Sequence, residues 1–432
     1  MKYTAERVNK LTIYNNCLVN GSTTTLFYMV NLYNHLVYTE ESISRNIDSL
    51  YNLILNIENI FGSGGLEFSL FRLKDVLSPN EYLENLTKTI RLWDPDFQLS
   101  DSFVKNIQYT VQYYCILAVN IDSKKAIDFN KSSIKDMVKD YFNLIADSLA
   151  NNRQQPIDKA AIDETSSRIA NVGQSMMRPC PEEILLSFYL KRVFPSYDII
   201  IPKDQQDSTK SVLAYLEQDL TPHFNYFEMS NAGVELFGAH AHTTYGSVID
   251  IIEFPEEIIS ESFSLNYDWL VCNCKTLSKQ KAKVRFARRK KDIEYEEETA
   301  AVAGSTGYNL ELQDYKDIAD TAMAAVSLGK KMVDADIHIL VTAKSLEELE
   351  KKRYDIISSL KNLNIIATFA PDQAKEYVES FVRMRPSGFP FIMDLRYPLS
   401  FRLNQGSAAG DFSSKFTSPV LGQTTSRSEA TD

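Results

Sequence analysis

The first 150 residues alternate between β-like and helical patterns of apolar positions. Short runs rich in β-branched and aromatic residues predict strands, and apolar positions three or four residues apart predict amphipathic helices. Strands are predicted at residues 11–19, 25–36, 66–73 and 109–121. Helices are predicted at residues 40–61, from Ser78 onward, and at 133–149. The segment Asn20-Gly21-Ser22-Thr23 between the first two strands predicts a hairpin.

Residues 224–383 repeat this alternation. Strands are predicted at residues 224–237, 243–254, 267–274, 337–343 and 364–369, and helices at 345–360 and 372–382. The start of the first of these helices is the best defined in the chain. Ser345 is followed three residues later by Glu348, which is the pattern of a capping box.

These patterns predict an α+β protein, with mixed or antiparallel sheets and helices packed on one face. We divide the chain into a first α+β block at 1–150, a Pro-punctuated helical linking subdomain at 151–223, a second α+β block at 224–403 and a flexible Gly/Ser/Thr-rich tail at 404–432. The second block contains a charged helical insertion at 275–333. The two blocks share a pattern but no sequence similarity, so a structural duplication remains open.

Composition narrows the class of protein. The 432 residues are 44% hydrophobic and carry a net charge of −11, which argues against a chain-wide nucleic-acid clamp and leaves room for a local basic patch. Five cysteines without framework spacing favour a reducing compartment. The polar N-terminus lacks a signal-peptide pattern, and no segment has the length of uncharged apolar residues that spans a bilayer. We therefore expect a cytoplasmic protein that contacts the membrane only through partners.

Common catalytic and metal motifs are missing from the sequence. The only Gly-Lys pair, Gly329-Lys330, is followed by Lys331, and Ala324 stands where a P-loop needs its first glycine. No Gly-x-Ser-x-Gly nucleophile motif occurs. The pairs His240-x-His242 and Cys272-x-Cys274 match no structural zinc spacing, so we interpret them as packing or solvent-facing residues. The sequence therefore predicts no catalytic, cofactor or metal residue.

The most distinctive charge feature lies at residues 275–291, which hold nine basic residues and no acidic one. Five acidic residues follow within 292–298. The candidate interaction patch consists of Lys283, Arg285, Arg288, Arg289, Lys290 and Lys291. Three interpretations remain open: a solvated helical hairpin whose arms neutralise each other, a contact with a partner or neighbouring subunit, and a polyanion-binding stripe.

Several motifs together resemble a known family. In chain order they are residues 21–28 (GSTTTLFY), 86–95 (LTKTIRLWDP), 248–255 (VIDIIEFP), 334–348 (DADIHILVTAKSLEE) and 371–373 (PDQ). Their order and spacing resemble the N-terminal half of the conjugative-transfer ATPases of type IV secretion systems, the VirB-four, TraC and TraE class, in the version found in Gram-positive conjugative elements. The resemblance extends from about residue 10 to about residue 426.

The resemblance implies an α+β region that docks onto inner-membrane channel subunits and helps the ATPase to form homo-oligomers. ATP and Mg²⁺ belong in that family to a C-terminal RecA-like domain. Residues 419–426 look like the strand leading into that domain, but the sequence departs from the family pattern at about Arg427 and contains no Walker motif. We therefore expect a truncated product or N-terminal part that does no catalysis alone and lies peripheral to the cytoplasmic membrane.

A second hypothesis comes from the basic segment. An accessory protein of conjugative DNA transfer would bind nucleic acid through residues 275–291. Reversal of the charges in this segment separates the two hypotheses, because only the second predicts a loss of salt-dependent affinity for single strands.

Overall fold

The computed structural model describes residues 3–4, 11–20, 23–30, 40–61, 65–77, 91, 110–122, 159–173, 176–195, 219–230, 242–255, 265, 267–302, 308–382, 384, 386 and 391–403. The strands in these residues are β1 (Tyr3–Thr4), β2 (Leu11–Tyr14), β3 (Cys17–Asn20), β4 (Thr23–Val30), β5 (Glu67–Leu77), β6 (Thr110–Asp122), β7 (Met177–Pro179), β8 (Asp219–Pro222), β9 (Phe227–Ser230), β10 (Thr243–Glu253), β11 (Trp269–Thr276), β12 (Met332–Ala343), β13 (Ile366–Phe369) and β14 (Phe391–Asp394).

The helices in the same residues are α1 (Glu40–Phe61), α2 (Lys159–Gly173), α3 (Glu182–Val193), α4 (Lys279–Val302), α5 (Tyr308–Ser327), α6 (Leu346–Asn362), α7 (Gln373–Glu376) and α8 (Arg396–Leu403). A π-helix at Tyr377–Val382 continues α7 directly.

All fourteen strands belong to one sheet, and its ladders are antiparallel. The main path runs β1-β8-β9-β10-β12-β11-β5-β6-β4-β3-β2, with β13 beside β10, β14 beside β12, and β7 beside β4. The predicted α+β class is therefore confirmed, and the sheet is antiparallel.

Both faces of the sheet are covered, because buried residues of the central strands alternate between two apolar clusters. The larger cluster packs the sheet against α1, α2, α6 and α8, and this is the helical layer that the sequence predicts on one face. A smaller layer on the other face, absent from that prediction, consists of α3 and the α7–π segment. There Tyr377 and Phe381 pack beside Phe227 and α3.

Several predicted elements agree closely with the structure. Helix α1 has the predicted bounds, and Ile47, Leu50, Ile54 and Ile57 form its buried stripe. Helix α6 begins after Ser345, whose hydroxyl accepts a hydrogen bond from the Glu348 amide at 3.3 Å. Local sequence is sufficient at these places because the apolar period and the cap residue give the same answer.

Two predicted elements are wrong in detail. The run at 11–19 is not one strand but the hairpin β2–β3, which turns at Asn15 with φ 50°. Asparagine tolerates this left-handed conformation, and the neighbouring Asn16 side chain donates to the Phe27 carbonyl at 3.0 Å. The predicted helix at 372–382 becomes π-helical after Glu376.

The sheet is continuous across the predicted block boundaries. Strand β5 of the first block pairs with β11 of the second, and β7 and β8 of the predicted linking segment add to the sheet beside β4 and β9. The division into blocks remains a prediction. The predicted helices at 78 onward and 133–149, and the predicted tail at 404–432, lie outside the described residues.

Candidate interaction surface

Helices α4 and α5 form a hairpin in the place of the predicted insertion, between β11 and β12. They run antiparallel, since Lys290 Nζ lies 2.7 Å from Asp320 Oδ1 and Lys316 Nζ lies 3.4 Å from Glu297 Oε2. A small apolar cluster of Leu277, Ala282, Val326 and Met332 fixes the base of the hairpin to the sheet.

Charged contacts at the base also connect the hairpin to the sheet. Arg285 of α4 pairs with the buried carboxylate of Asp334 on β12. Next to it, Lys275 Nζ lies 2.6 Å from Glu67 Oε1. Burial raises the pKa of Asp334, and the guanidinium of Arg285 opposes that rise. Lys279 Nζ donates to the Ser327 carbonyl at 3.0 Å, so three cations of the basic segment have structural roles at the base.

The structure divides the six residues of the predicted patch into two groups. Arg285 and Lys290 pair with carboxylates. The side chains of the other four are exposed and form no ion pair or hydrogen bond within the described residues, and the same is true of the side chain of Lys281. The five available cations are therefore Lys281, Lys283, Arg288, Arg289 and Lys291.

The face of α4 that points away from α5 combines charge with exposed apolar side chains. Val284, Tyr295 and Val302 are 61%, 71% and 91% exposed. They belong to a set spaced alternately by three and four residues, so the set lies along one face of the helix. We call this set the outer stripe: Lys281, Val284, Arg288, Lys291, Tyr295, Glu298 and Val302.

The order of charges on α4 opposes its own helix dipole. Its first thirteen residues contain eight cations and no carboxylate, and residues 292–302 contain five carboxylates and no cation. A helix is stabilised by the reverse order, with carboxylates at its N-terminus and cations at its C-terminus. Helix α5 has four carboxylates and one cation, so the hairpin has no net charge, but it supplies only Lys316 to the acidic half of α4.

A second polar cluster lies beneath the α7–π segment, where His338 is 2% exposed on β12. Its Nδ1 lies 3.3 Å from Asp250 Oδ1, and its Nε2 lies 3.3 Å from Asp336 Oδ2 and 3.8 Å from Glu376 Oε2. Burial alone lowers the pKa of His338, but Asp336 and Asp250 outweigh it and raise the pKa to about 10. The side chain is therefore a buried imidazolium at neutral pH.

Further polar residues continue this cluster across the sheet and fix the π-helix. Asn273 donates to the Ser380 carbonyl at 3.3 Å, and Asn120 donates to the Met384 carbonyl at 2.9 Å. Ser69 donates to Asn273 Oδ1 at 2.5 Å. A helix end leaves carbonyl groups without helical partners, and these side chains satisfy them. We assign the cluster a structural role, because its central groups are buried.

The remaining candidates from the sequence are not brought together. Cys272 and Cys274 are buried in the larger apolar cluster, whereas His242 is exposed and His240 lies outside the described residues. Within the described part of the chain no group of His, Cys, Asp and Glu has the arrangement of a metal site. His338 is not among the candidates predicted from the sequence. The local signal for this cluster is that Asp334, Asp336 and His338 interrupt one face of an apolar strand at a spacing of two.

The described helices include none with the length and apolar character needed to cross a membrane. No model of a known protein family matches the chain, and no curated protein is significantly similar to it.

Proposed function

We propose that this chain is the docking and oligomerisation region of a conjugative-transfer ATPase of a type IV secretion system. It binds channel subunits at the cytoplasmic face of the membrane and contacts other copies of the ATPase. Two things support the proposal: the ordered motifs described above, and a charged hairpin that presents an exposed binding face. The chain acts by protein–protein recognition and does no catalysis alone.

The observation that carries the proposal is the outer stripe of α4. Exposed apolar side chains set among available cations are typical of a surface that partners cover. The hairpin is attached at its base to the sheet by Arg285 and by the cluster around Leu277, so it projects a defined surface.

A binding experiment tests the docking. The purified chain is mixed with the cytoplasmic segments of inner-membrane channel subunits from a conjugation system of a Gram-positive element, and complex formation is measured by calorimetry. We expect binding that weakens at least about tenfold when Val284 and Tyr295 are both changed to Ala, a loss of about 1.4 kcal/mol. Ala substitution of the exposed Tyr354 on α6 is the matched control. The proposal is contradicted if the chain binds none of these subunits.

A nucleotide-binding experiment tests the statement that the chain does no catalysis alone. ATP and Mg²⁺ belong to the RecA-like domain of the family, and this sequence contains no P-loop. We expect no saturable ATP binding and no hydrolysis by the purified chain. Saturable binding at micromolar affinity contradicts the proposal.

The alternative function is nucleic-acid binding in conjugative transfer, and the five available cations favour it. Charge reversal of Arg288, Arg289 and Lys291 tests it better than reversal of Lys290, which pairs with Asp320. If the cations bind single-stranded nucleic acid, the variant has a lower affinity for it. A plot of the logarithm of affinity against the logarithm of salt concentration should also have a shallower slope for the variant. Unchanged affinity and slope exclude the patch as a nucleic-acid site.

A further inference from the structure

The charges along the outer stripe change sign at its centre. Its first four positions contain Lys281, Arg288 and Lys291 with Val284, and its last three contain Glu298 with Tyr295 and Val302. From first to last residue the stripe is about 32 Å long at the rise of an α-helix. A surface with this order of charges is complementary to itself when it is turned end for end.

We infer that two copies of the chain associate through an antiparallel pairing of their α4 helices, with the outer stripes in contact. The two-fold axis passes near Lys291. Lys281 then lies opposite Val302 of the second copy, Arg288 opposite its Tyr295, and Val284 opposite its Glu298. Because the contact is isologous, each pair is formed twice.

Charge selects this orientation over the parallel one. In the antiparallel pair the basic half of each α4 faces the acidic half of the other, which is the arrangement that favours interhelical ion pairs. A parallel pair in register would place eight cations against eight cations. At the centre, the exposed carboxylate of Asp292 from each copy lies beside Lys291 of the other and offsets the repulsion between the two lysines.

The pairing also explains why α4 has charges that oppose its own dipole. A second copy supplies carboxylates to the N-terminal half of α4 and cations to its C-terminal half. Helix α5 provides only one cation, Lys316, to the C-terminal half of α4. Arg288 opposite the ring of Tyr295 adds a cation–π contact, and the exposed apolar surface of Val284 and Val302 leaves water.

This inference deepens the oligomerisation part of the proposed function and rests on it. A second copy and a channel subunit then compete for the same stripe, so binding to channel subunits is measured at concentrations at which the chain is monomeric. The first test is the mass of the full chain in solution, measured by sedimentation over a wide range of concentration. We expect a monomer–dimer equilibrium. Changing Lys281 and Arg288 to Glu should raise the dissociation constant at least about tenfold, because the two introduced carboxylates then lie on either side of Glu298 of the second copy at both ends of the pair.

A compensating variant makes this test specific. Adding Glu298→Lys to the same chain places a cation between the two introduced carboxylates at both ends of the pair and should restore the dimer. The control is Lys351→Glu with Lys361→Glu on the exposed face of α6, which makes the same change in net charge. A wild-type chain that is monomeric at every concentration, or a dimer that the first reversal leaves intact, overturns the inference.

Introduced thiols determine the orientation. The five native cysteines are buried, so a cysteine at position 281 or 302 is the accessible one. A mixture of the Lys281→Cys and Val302→Cys chains should form a disulfide-linked dimer on oxidation, and neither chain alone should do so. Linkage of each chain to itself would show a parallel pair and contradict the inference.

The outcomes also separate this inference from the docking function. A chain that dimerises as described but binds no channel subunit retains the inference and contradicts the docking. A chain that stays monomeric but binds channel subunits supports the docking and contradicts the inference. Single-strand binding that the first reversal removes and the compensating variant does not restore would assign the stripe to nucleic acid instead.

Discussion

The Nε2 atom of His338 lies 3.3 Å from the Oδ2 atom of Asp336, two positions earlier on the same strand. Alternate residues of a strand share a face, so this pair is built into the local sequence. Asp250 reaches the other ring nitrogen from the adjacent strand β10, where it is the direct cross-strand neighbour of His338. A buried positive charge is thus held between carboxylates near the centre of the sheet.

This arrangement makes the stability of the protein depend on pH. The pKa of His338 is about 10 in the folded chain, above its ordinary value of 6.5. Its contribution to the free energy of unfolding is therefore complete below about pH 6.5 and is lost as the pH rises through about 10. We expect the loss between pH 6 and pH 10 to exceed about 1 kcal/mol in urea unfolding experiments.

The variant His338→Gln provides the control for this prediction, because it removes the titrating group and keeps a polar side chain. It should be less stable than the wild type at pH 6 and should show a smaller decline toward pH 10. An equal decline in both proteins would assign the pH dependence to other groups.

The buried ion pair between Glu58 of α1 and Lys331, the residue before β12, should contribute to the free energy of unfolding. Lys331 Nζ lies 2.5 Å from Glu58 Oε1, and the two side chains are 15% and 5% exposed. Changing Lys331 to Met leaves a buried carboxylate without its cation, which costs about 3–5 kcal/mol. Urea unfolding of this variant and of the double variant Glu58→Gln with Lys331→Met measures the effect. The double variant should recover part of the loss, and equal losses in both variants would contradict this explanation.

Gly246 should not tolerate a side chain. It lies opposite Phe227 in the β9–β10 ladder, and a Cβ atom on it would be 2.6 Å from the phenylalanine ring. Gly246→Ala should lower the free energy of unfolding by about 1–3 kcal/mol, a typical cost of overpacking. In the background Phe227→Leu the same substitution should cost less. Thermal unfolding of the four chains checks the coupling, and purely additive effects would contradict the contact.

The five cysteines should be unreactive in the folded chain. All are buried, and burial raises the pKa of both Cys17 and Cys180 to about 12. The thiolate is the reactive form, so a thiol reagent at neutral pH should modify none of them until denaturant is added. Rapid modification under native conditions would show that the core opens locally.

Short-range signals predict much of this fold. The period of apolar residues locates α1, and the alternating or continuous apolar runs locate β10, β11 and β12. The hydroxyl of Ser345 predicts the start of α6. In each case the decisive residues lie within a few positions of one another.

Features that depend on distant residues are not predictable in this way. The π-helix is stabilised by Asn120 and Asn273, which are more than 100 residues away from it in sequence. The cluster around His338 needs the neighbouring strand β10 and helix α7. The two asparagines at 15 and 16 did offer a local turn signal, and the apolar residues around them outweighed it.

The sequence indicates where the candidate surface lies, but it does not show which of the cations are already paired. The run of like charges identifies residues 275–291, but only the packing of α5 and β12 shows which cations are occupied. Arg285 and Lys290 are paired, whereas Lys281, outside the predicted patch, is available. The outer stripe repeats alternately at three and four residues in the sequence. Because charged residues occupy four of its seven positions, it does not form an apolar period that would identify it.

The ladder between β5 and β11 has a consequence for synthesis of the chain. Ser69 and Asn273, which are hydrogen-bonded across it, are 204 residues apart. At about 5–20 residues per second, a ribosome needs about 10–40 s to add that length. Throughout this interval β5 has an open edge that can pair with other nascent chains. The yield of folded protein should therefore depend on chaperones that shield this edge until β11 emerges.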